Sequence, residues 1–388
     1  MTKETQVKVT PWDVEGKVDY DKLIKEFGVK YIDDKQREYL RELAKKKGME
    51  EHIFLKRGLF FCQRDLNEII NAHKKGEPIF LYTGIGPSGP LHIGHLIPFR
   101  FTKYLQDLFD CNVYIQQTDD EKIWTKKDLT FEETQEYATK NAIDVLALGF
   151  NPDKTFIFRD MDYIKNMYPL LVRVAKKISF AKAKAIFGFD KKSNIGHIFY
   201  PALQTIPTFF EKGKCLIAYG IDQDNYFRLQ RDFARQIGFE KCCGICNKFL
   251  MGLQGPEGKM SASQKETSIY TNDGAKVIKK KVNKYAFSGG QATIEEHREK
   301  GGNTTVDVSY QWLYYLFEED ETEIVRIKDE YESGRMLSGE IKKILIEKIT
   351  AYLAEHQLKK EKVVDEKILD KCMYSSKLAK EMWDKTYF

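Results

Sequence analysis

Pro78-Ile79-Phe80-Leu81-Tyr82-Thr83-Gly84-Ile85-Gly86-Pro87-Ser88-Gly89-Pro90-Leu91-His92-Ile93-Gly94-His95 decides the reading of the fold. Its first six residues are a compact apolar run, which predicts a buried strand. A loop rich in glycine and proline follows, and helical spacing sets in over residues 94–109. Working outward, residues 113–117, 155–158 and 215–219 repeat the strand signal, while 130–148 and 223–237 carry helical spacing. Strands separated by helices predict a parallel sheet, so the fold class is α/β. From residue 272 onward the pattern changes: 275–285, 310–319, 322–333 and 339–356 all space their apolar residues as helices. The expected division is an N-terminal extension over 1–75, an α/β domain over 76–271 and a helical domain over 272–388. The extension is polar, with helical stretches at 32–47 and 65–73 and a short hairpin over 7–14 that Pro11-Trp12 interrupts.

Composition narrows the class. The 388 residues are 42% hydrophobic and 31% charged, which argues for a folded chain rather than a disordered one. A formal net charge of +5 permits an acidic partner without demanding one. No apolar run approaches the ~18 residues of a membrane span, and the first six residues offer no apolar targeting core. Seven scattered cysteines read as free thiols in a reducing compartment, so a cytoplasmic protein is expected.

The loop from Gly84 to Gly89 matches G-x-G-x-x-G between a strand and a helix, so a dinucleotide site must be weighed. Pro87 and Pro90 remove amides where a pyrophosphate needs them. Asp107, the acidic residue at the appropriate distance, falls inside the helix rather than at a strand end. A plain strand-to-helix turn is the other simple reading. The continuation says more. His92 and His95 stand on one face of a helix N-terminus, where free amides and the helix dipole favour phosphate. Gly94 between them lets a nucleotide approach the backbone. A metal pair is disfavoured, because no glutamate follows as in H-E-x-x-H and no third ligand is near.

A second motif, Gly252-Leu253-Gln254-Gly255-Pro256-Glu257-Gly258-Lys259-Met260-Ser261-Ala262-Ser263, lies about 165 residues later. Alone it is a glycine-punctuated turn. A lysine on such a loop can close over a triphosphate as a point charge. H-x-G-H followed by K-M-S-x-S resembles the paired signature of class I aminoacyl-tRNA synthetases. The flanks narrow the resemblance: Tyr82-Thr83-Gly84-Ile85-Gly86-Pro87-Ser88, Gln117-Thr118-Asp119-Asp120-Glu121-Lys122, Ile186-Phe187-Gly188-Phe189, the run Ala218 to Arg228, and Lys284-Tyr285-Ala286-Phe287-Ser288-Gly289-Gly290. These are similar to tryptophanyl-tRNA synthetases of the eukaryotic and archaeal cytoplasmic type, over nearly the whole chain.

The resemblance implies a Rossmann-type catalytic domain, a helical anticodon-binding domain whose last ~15 residues pack back on the catalytic one, and a homodimer. It implies ATP with Mg2+, L-tryptophan and tRNA(Trp) as substrates and partners. It assigns His92, His95, Lys259 and Ser261 to catalysis, and Gly84, Gly86, Gly94, Lys259, Met260 and Ser261 to ATP. Ala262 stands where a second lysine is usual, leaving one cation fewer on the phosphates. Tyr82 and Gln116 would take the indole N–H, and Glu121, Gln204 and Gln223 the α-ammonium group. Tyr82 and Gln116 each end a strand, so the two can reach one crevice. Read from spacing alone, Tyr82 is equally a core aromatic and Gln116 a strand-end polar residue.

Two features stand apart. Lys276, Lys279, Lys280, Lys281 and Lys284 form a basic helix, either a solvated face or a contact to tRNA phosphates. Cys242-Cys243-Gly244-Ile245-Cys246 is like half a zinc knuckle without a second pair, so free thiols are expected there. The competing functions are a tyrosine–tRNA ligase of the same fold and, more remotely, an NAD-dependent dehydrogenase.

Overall fold

The computed structural model describes residues 8–9, 14–15, 19–259 and 266–387. Strands β1 (Lys8–Val9) and β2 (Val14–Glu15) pair antiparallel; the Pro11-Trp12 pair between them lies outside the described residues. Then come β3 (Lys30–Tyr31), β4 (Phe60–Arg64), β5 (Ile79–Ile85), β6 (Asn112–Gln117), β7 (Thr155–Arg159), β8 (Lys214–Gly220), β9 (Cys243–Asn247), β10 (Met251–Gly252) and β11 (Gly255–Lys259). The helices that bear on the site are α1 (Ile93–Phe109), α2 (Asp119–Thr125), α3 (Phe131–Leu146), α4 (Asp160–Ala175), α5 (Ile195–Gln204), α6 (Asp224–Phe233), α7 (Ala275–Tyr285), α8 (Ser338–Asp365) and α9 (Lys377–Asp384).

The main sheet has seven strands in the order β3-β4-β9-β8-β5-β6-β7. The five from β5 to β9 run parallel, and β4 and β3 add antiparallel at one edge. Chain order reverses between β5 and β8: the chain winds outward through β6 and β7, then returns to build β8 and β9 on the other side. This is the doubly wound arrangement, whose ligand crevice opens at the carboxyl ends of the two central strands. β5 is apolar because helices cover both its faces: Phe80, Leu81 and Tyr82 are all at most 1% exposed.

The two faces bury separate cores. On one side Leu91, Ile93, Leu96 and Ile97 of the α1 region pack with Leu81, Val113 and Ile115. On the other Phe80, Tyr82 and Tyr114 pack with Tyr163, Tyr200 and Leu203. The first core runs on without a break into the helical part of the chain, through Ile278, Trp312, Leu345 and Ile349. Polar contacts reinforce that junction. The buried Arg57 guanidinium donates to the carbonyls of Tyr314 and Glu318 and to the Glu321 carboxylate at 2.9 Å. Trp312 Nε1 donates to the Met251 carbonyl at 2.9 Å. At the far end α9 lies against α4: Tyr163 donates to the Met382 carbonyl, and Tyr387 stacks on Phe210.

Three sequence expectations are revised. Residues 60–64 and 30–31 of the extension are strands of the main sheet, so the extension is built into the catalytic core. Residues 243–247, not read as a strand from the sequence, are the fifth parallel strand. The reason for the misreading is that two cysteines, a glycine and an isoleucine can all line a strand buried on both faces. The free-thiol expectation also fails at one pair. Cys62 and Cys246 face each other across β4 and β9 with Cα atoms 5.2 Å apart, and the two are joined as a disulfide. That spacing is within the range a disulfide bridges. The other five cysteines are free and buried.

Candidate active site at the sheet switch point

A cleft of about 420 Å3 opens where β5 and β8 part. Gly84, Gly86, His92, Gly94, His95, Glu121, Gln204 and Gln223 all line it, so one surface gathers residues that the sequence spreads over 140 positions. Lys122, Tyr200, Asp222, Tyr226 and Asn247 line it too and were not singled out from sequence. Lys122 is the clearest omission. It lies so close over Gly86 that a Cβ there would come within 1.8 Å of its Cε, and its ammonium pairs with Glu121 at 2.6 Å.

The first histidine motif builds the start of α1. His92 is the N-cap, and its Nδ1 accepts from the His95 N–H; His95 Nδ1 in turn accepts from the His92 N–H, both at 3.3 Å. The rings stack with centroids 3.5 Å apart and 17° between planes. This is the reciprocal capping arrangement with imidazoles in place of hydroxyl and carboxylate. Because each Nδ1 accepts, a neutral ring carries its proton on Nε2. Capping therefore fixes the tautomer.

The second motif attaches to the first through backbone. Beyond Lys259, the end of β11, Met260, Ser261, Ala262 and Ser263 lie outside the described residues. Where description resumes, Ile93 N–H donates to the Ile269 carbonyl at 3.0 Å and Thr271 N–H to the Leu91 carbonyl at 2.9 Å. His92 and Tyr270 form an antiparallel bridge. The exit of the loop is thus pinned to the helix start that carries the two histidines. Its entrance, β11, pairs with β10 and lies beside β2.

Tyr82 and Gln116 sit on the opposite face of the sheet from α1. Register explains it: Tyr82 pairs with Tyr114, two residues before Gln116, so all three point the same way. Both site residues are essentially fully buried. Tyr82 Oη donates to Gln116 Oε1 at 2.5 Å and accepts from Gln204 Nε2 at 2.7 Å. Gln204, which lines the cleft, accepts from the Tyr200 hydroxyl. Gln116 Nε2 donates to both oxygens of Asp160, at 2.8 and 2.9 Å.

Asp160 begins α4 and is fully buried beside Asp120. Burial first, and then the Asp120 carboxyl, hold its pKa well above the carboxylate range, and burial raises Asp120 as well. Burial also raises the Tyr82 and Tyr200 hydroxyls, which stay protonated donors. Asp120 and Asp160 were legible in sequence only as part of a charged stretch and a strand end; nothing in the spacing joins them to Gln116.

The doubly wound sheet with its cleft at the switch point is the fold of the class I aminoacyl-tRNA synthetases. The family model described as tRNA synthetases class I (W and Y) matches residues 74–354. The tryptophan–tRNA ligase of Saccharolobus solfataricus is 52% identical over 379 residues, covering 98% of each chain. That of Sulfolobus acidocaldarius is 53% identical over 380 residues with the same coverage. The solved tryptophanyl-tRNA synthetase of Giardia lamblia superposes with a TM-score of 0.85 at 39% identity, over 91% of this chain and 95% of its own. The chain belongs to the tryptophan–tRNA ligases: it joins tryptophan to tRNA and uses ATP to do so.

Proposed function

We propose that the cleft divides the reaction between the two faces of the sheet. ATP lies along the α1 side, over Gly84, Gly86 and Gly94, with its phosphates at the helix start. His92 and His95 donate from Nε2 to the oxygens around the α-phosphorus, and Lys259, Met260 and Ser261 belong to the loop that holds the departing pyrophosphate. The tryptophan carboxylate attacks the α-phosphorus, forming the mixed anhydride and expelling pyrophosphate. A ribose hydroxyl of the terminal adenosine of tRNA then takes the acyl group and AMP leaves. The protein positions groups and spreads charge. Mg2+ enters with ATP as the counter-ion of the phosphates.

On the other face Tyr82 and Gln116 take the indole N–H, and Glu121, Gln204 and Gln223 hold the α-ammonium group. The observation that carries this assignment is the Tyr82–Gln116 pair. It is buried, polar and bonded to a cleft residue, and a site built on buried polar groups rejects a ligand that leaves them unpaired by ~10⁴-fold or more. Residues 272–388 serve the anticodon, and Lys276, Lys279, Lys280 and Lys284 are exposed on α7 toward the tRNA backbone, whereas Lys281 is drawn onto Asp273 at 2.7 Å. Phe131, Tyr168 and Phe199 are exposed around an apolar hollow of about 330 Å3, a patch suited to a second copy, so the protein works as a homodimer. No helix among the described residues is long and apolar enough to cross a membrane, and a tRNA substrate supports a cytoplasmic activity. Pyrophosphate exchange measured with tryptophan and with tyrosine separately tests the pocket, and His95→Ala tests the phosphate side. Exchange driven by tyrosine, or undiminished by His95→Ala, contradicts the assignment.

A further inference from the structure

We infer that Asp160 is a positioning residue that sets the donor–acceptor polarity of the amino-acid pocket and so makes it selective for an N–H donor. The inference rests on the reading that Tyr82 and Gln116 face the indole nitrogen, and extends it.

Four side chains form a directed chain that ends on Asp160. Tyr200 O–H donates to Gln204 Oε1, Gln204 N–H to Tyr82 Oη, Tyr82 O–H to Gln116 Oε1, and Gln116 N–H to the Asp160 carboxyl. Each of the first four groups both donates and accepts, so the chain could run in either direction on its own. A carboxamide that turns over exchanges its donor and acceptor at no covalent cost. At the Gln116 end Asp160 breaks the symmetry, and at Tyr82 the Gln204 carbonyl, 3.3 Å away, accepts from the hydroxyl as well. Asp160 receives Gln116 Nε2 on both oxygens, 2.8 and 2.9 Å away, and this two-point contact holds the carboxamide with its nitrogen toward Asp160 and Oε1 toward Tyr82.

With Gln116 anchored this way, Oε1 faces Tyr82, and both Oε1 and Tyr82 Oη keep an acceptor lone pair. An indole N–H, which can only donate, meets two acceptors. Reversed, the chain would present the Gln116 NH2 to the indole N–H, donor against donor. Asp160 need not touch the substrate to decide this, because the carboxamide conveys the choice.

The test compares tryptophan with its benzothiophene isostere, in which sulfur replaces the N–H, in ATP–pyrophosphate exchange on the full chain. The ratio of their kcat/KM values reads N–H selectivity. In Asp160→Asn the side chain both donates and accepts, Gln116 is free to turn, and the ratio falls by about ten- to a hundredfold, the range expected when a buried donor loses its acceptor. The loss comes through KM for tryptophan, with kcat less affected. The double variant Asp160→Asn with Gln116→Glu exchanges carboxyl and amide along the same bond. It restores acceptors toward the indole and so restores the ratio, which a purely structural need for an acid at 160 does not predict. If the unsubstituted enzyme activates both amino acids equally, the reading of Tyr82 and Gln116 fails. If it discriminates and a folded Asp160→Asn variant keeps the same ratio, the role of Asp160 fails alone. Should Asp160→Asn not accumulate as folded protein, the double variant decides: folded and selective supports the role, while unselective or unfolded overturns it.

Discussion

Tyr82→Phe removes one oxygen from the centre of the amino-acid pocket, and the geometry predicts a modest, specific effect. The hydroxyl donates to Gln116 Oε1 at 2.5 Å and to the Gln204 carbonyl at 3.3 Å, and accepts from Gln204 Nε2 at 2.7 Å. Gln204 lines the cleft, so its amide can turn to water and recovers most of what it loses. Gln116 Oε1 loses a donor in the free enzyme but still accepts from the indole in the complex. The indole N–H is therefore left with one acceptor instead of two. A neutral hydrogen bond contributes about 0.5–1.5 kcal/mol net, which is about two- to tenfold in binding. Because the indole lies far from the reacting carboxylate, ground state and transition state lose the bond equally. KM for tryptophan rises by that factor and kcat stays unchanged. Gln116→Leu must be much worse. It strips the second acceptor and also the amide nitrogen that donates to both oxygens of the buried Asp160, and an unsatisfied buried group costs about 1–3 kcal/mol beyond the lost bond. Steady-state pyrophosphate exchange over a range of tryptophan concentrations, with circular dichroism to confirm folding, gives the ordering. Equal effects from the two substitutions, or a fall in kcat at constant KM for Tyr82→Phe, would refute the division of work between one dispensable and one anchored acceptor.

Three further outcomes follow from other parts of the molecule. Arg64 on β4 grips the fully buried Asp224 carboxylate at 2.7 and 3.2 Å and also the Phe27 carbonyl at 2.8 Å; Arg64→Met leaves that charge with the Tyr219 hydroxyl and the more distant Arg228, and denaturant unfolding should show a loss of about 3 kcal/mol. His52 caps the helix Ile53–Lys56 by accepting the Phe54 N–H on Nδ1 at 3.1 Å, and burial, with Arg100 second, pushes its pKa down to about 3. The unfolded chain then takes a proton that the folded one refuses, so stability falls as pH drops from about 6.5 toward 3, at up to about 1.4 kcal/mol per pH unit; His52→Asn, which can still cap, removes that slope in melts taken across the range. The Cys62–Cys246 disulfide closes a sequence separation of 184, so Cys62→Ser lowers unfolding free energy by about 2–4 kcal/mol, and thiol titration of the denatured, unreduced protein finds five reactive sulfhydryls rather than seven.

The strands β5 to β8 and helices α1, α6 and α7 were legible in the sequence because each buries a continuous apolar face, and periodicity reports burial directly. β4 and β9 were not. Phe60-Phe61-Cys62-Gln63-Arg64 and Cys243-Gly244-Ile245-Cys246-Asn247 carry no alternation, and each becomes a strand by lying against the other. The same holds for the site. His92 and His95 could be read because both lie in one turn and their chemistry is local. Lys122 folding over Gly86, and the pinning of residues 269–271 to 91–93, depend on pairings that no local window contains.

Asp160 shows the limit most clearly. In sequence it follows Arg159 and precedes Met161-Asp162, one acid among several in a charged stretch, and its 44-residue distance from Gln116 gives no hint of contact. The parallel sheet supplies the missing step. β6 and β7 are neighbours with Gln116 opposite Phe158 and Gln117 opposite Arg159, so the residue that opens α4 emerges beside the carboxyl end of β6. Any α/β sheet places a helix start there, and its amides favour a carboxylate. A common structural position for an acid thus lies within reach of the strand end that reads the substrate. An acid at this position is therefore placed to orient Gln116 through the bonds its two oxygens accept. Asparagine keeps the size and shape of the side chain without capping duties to lose, since Arg159 is the N-cap, so under Asp160→Asn the fold should largely survive while the polarity of the pocket does not.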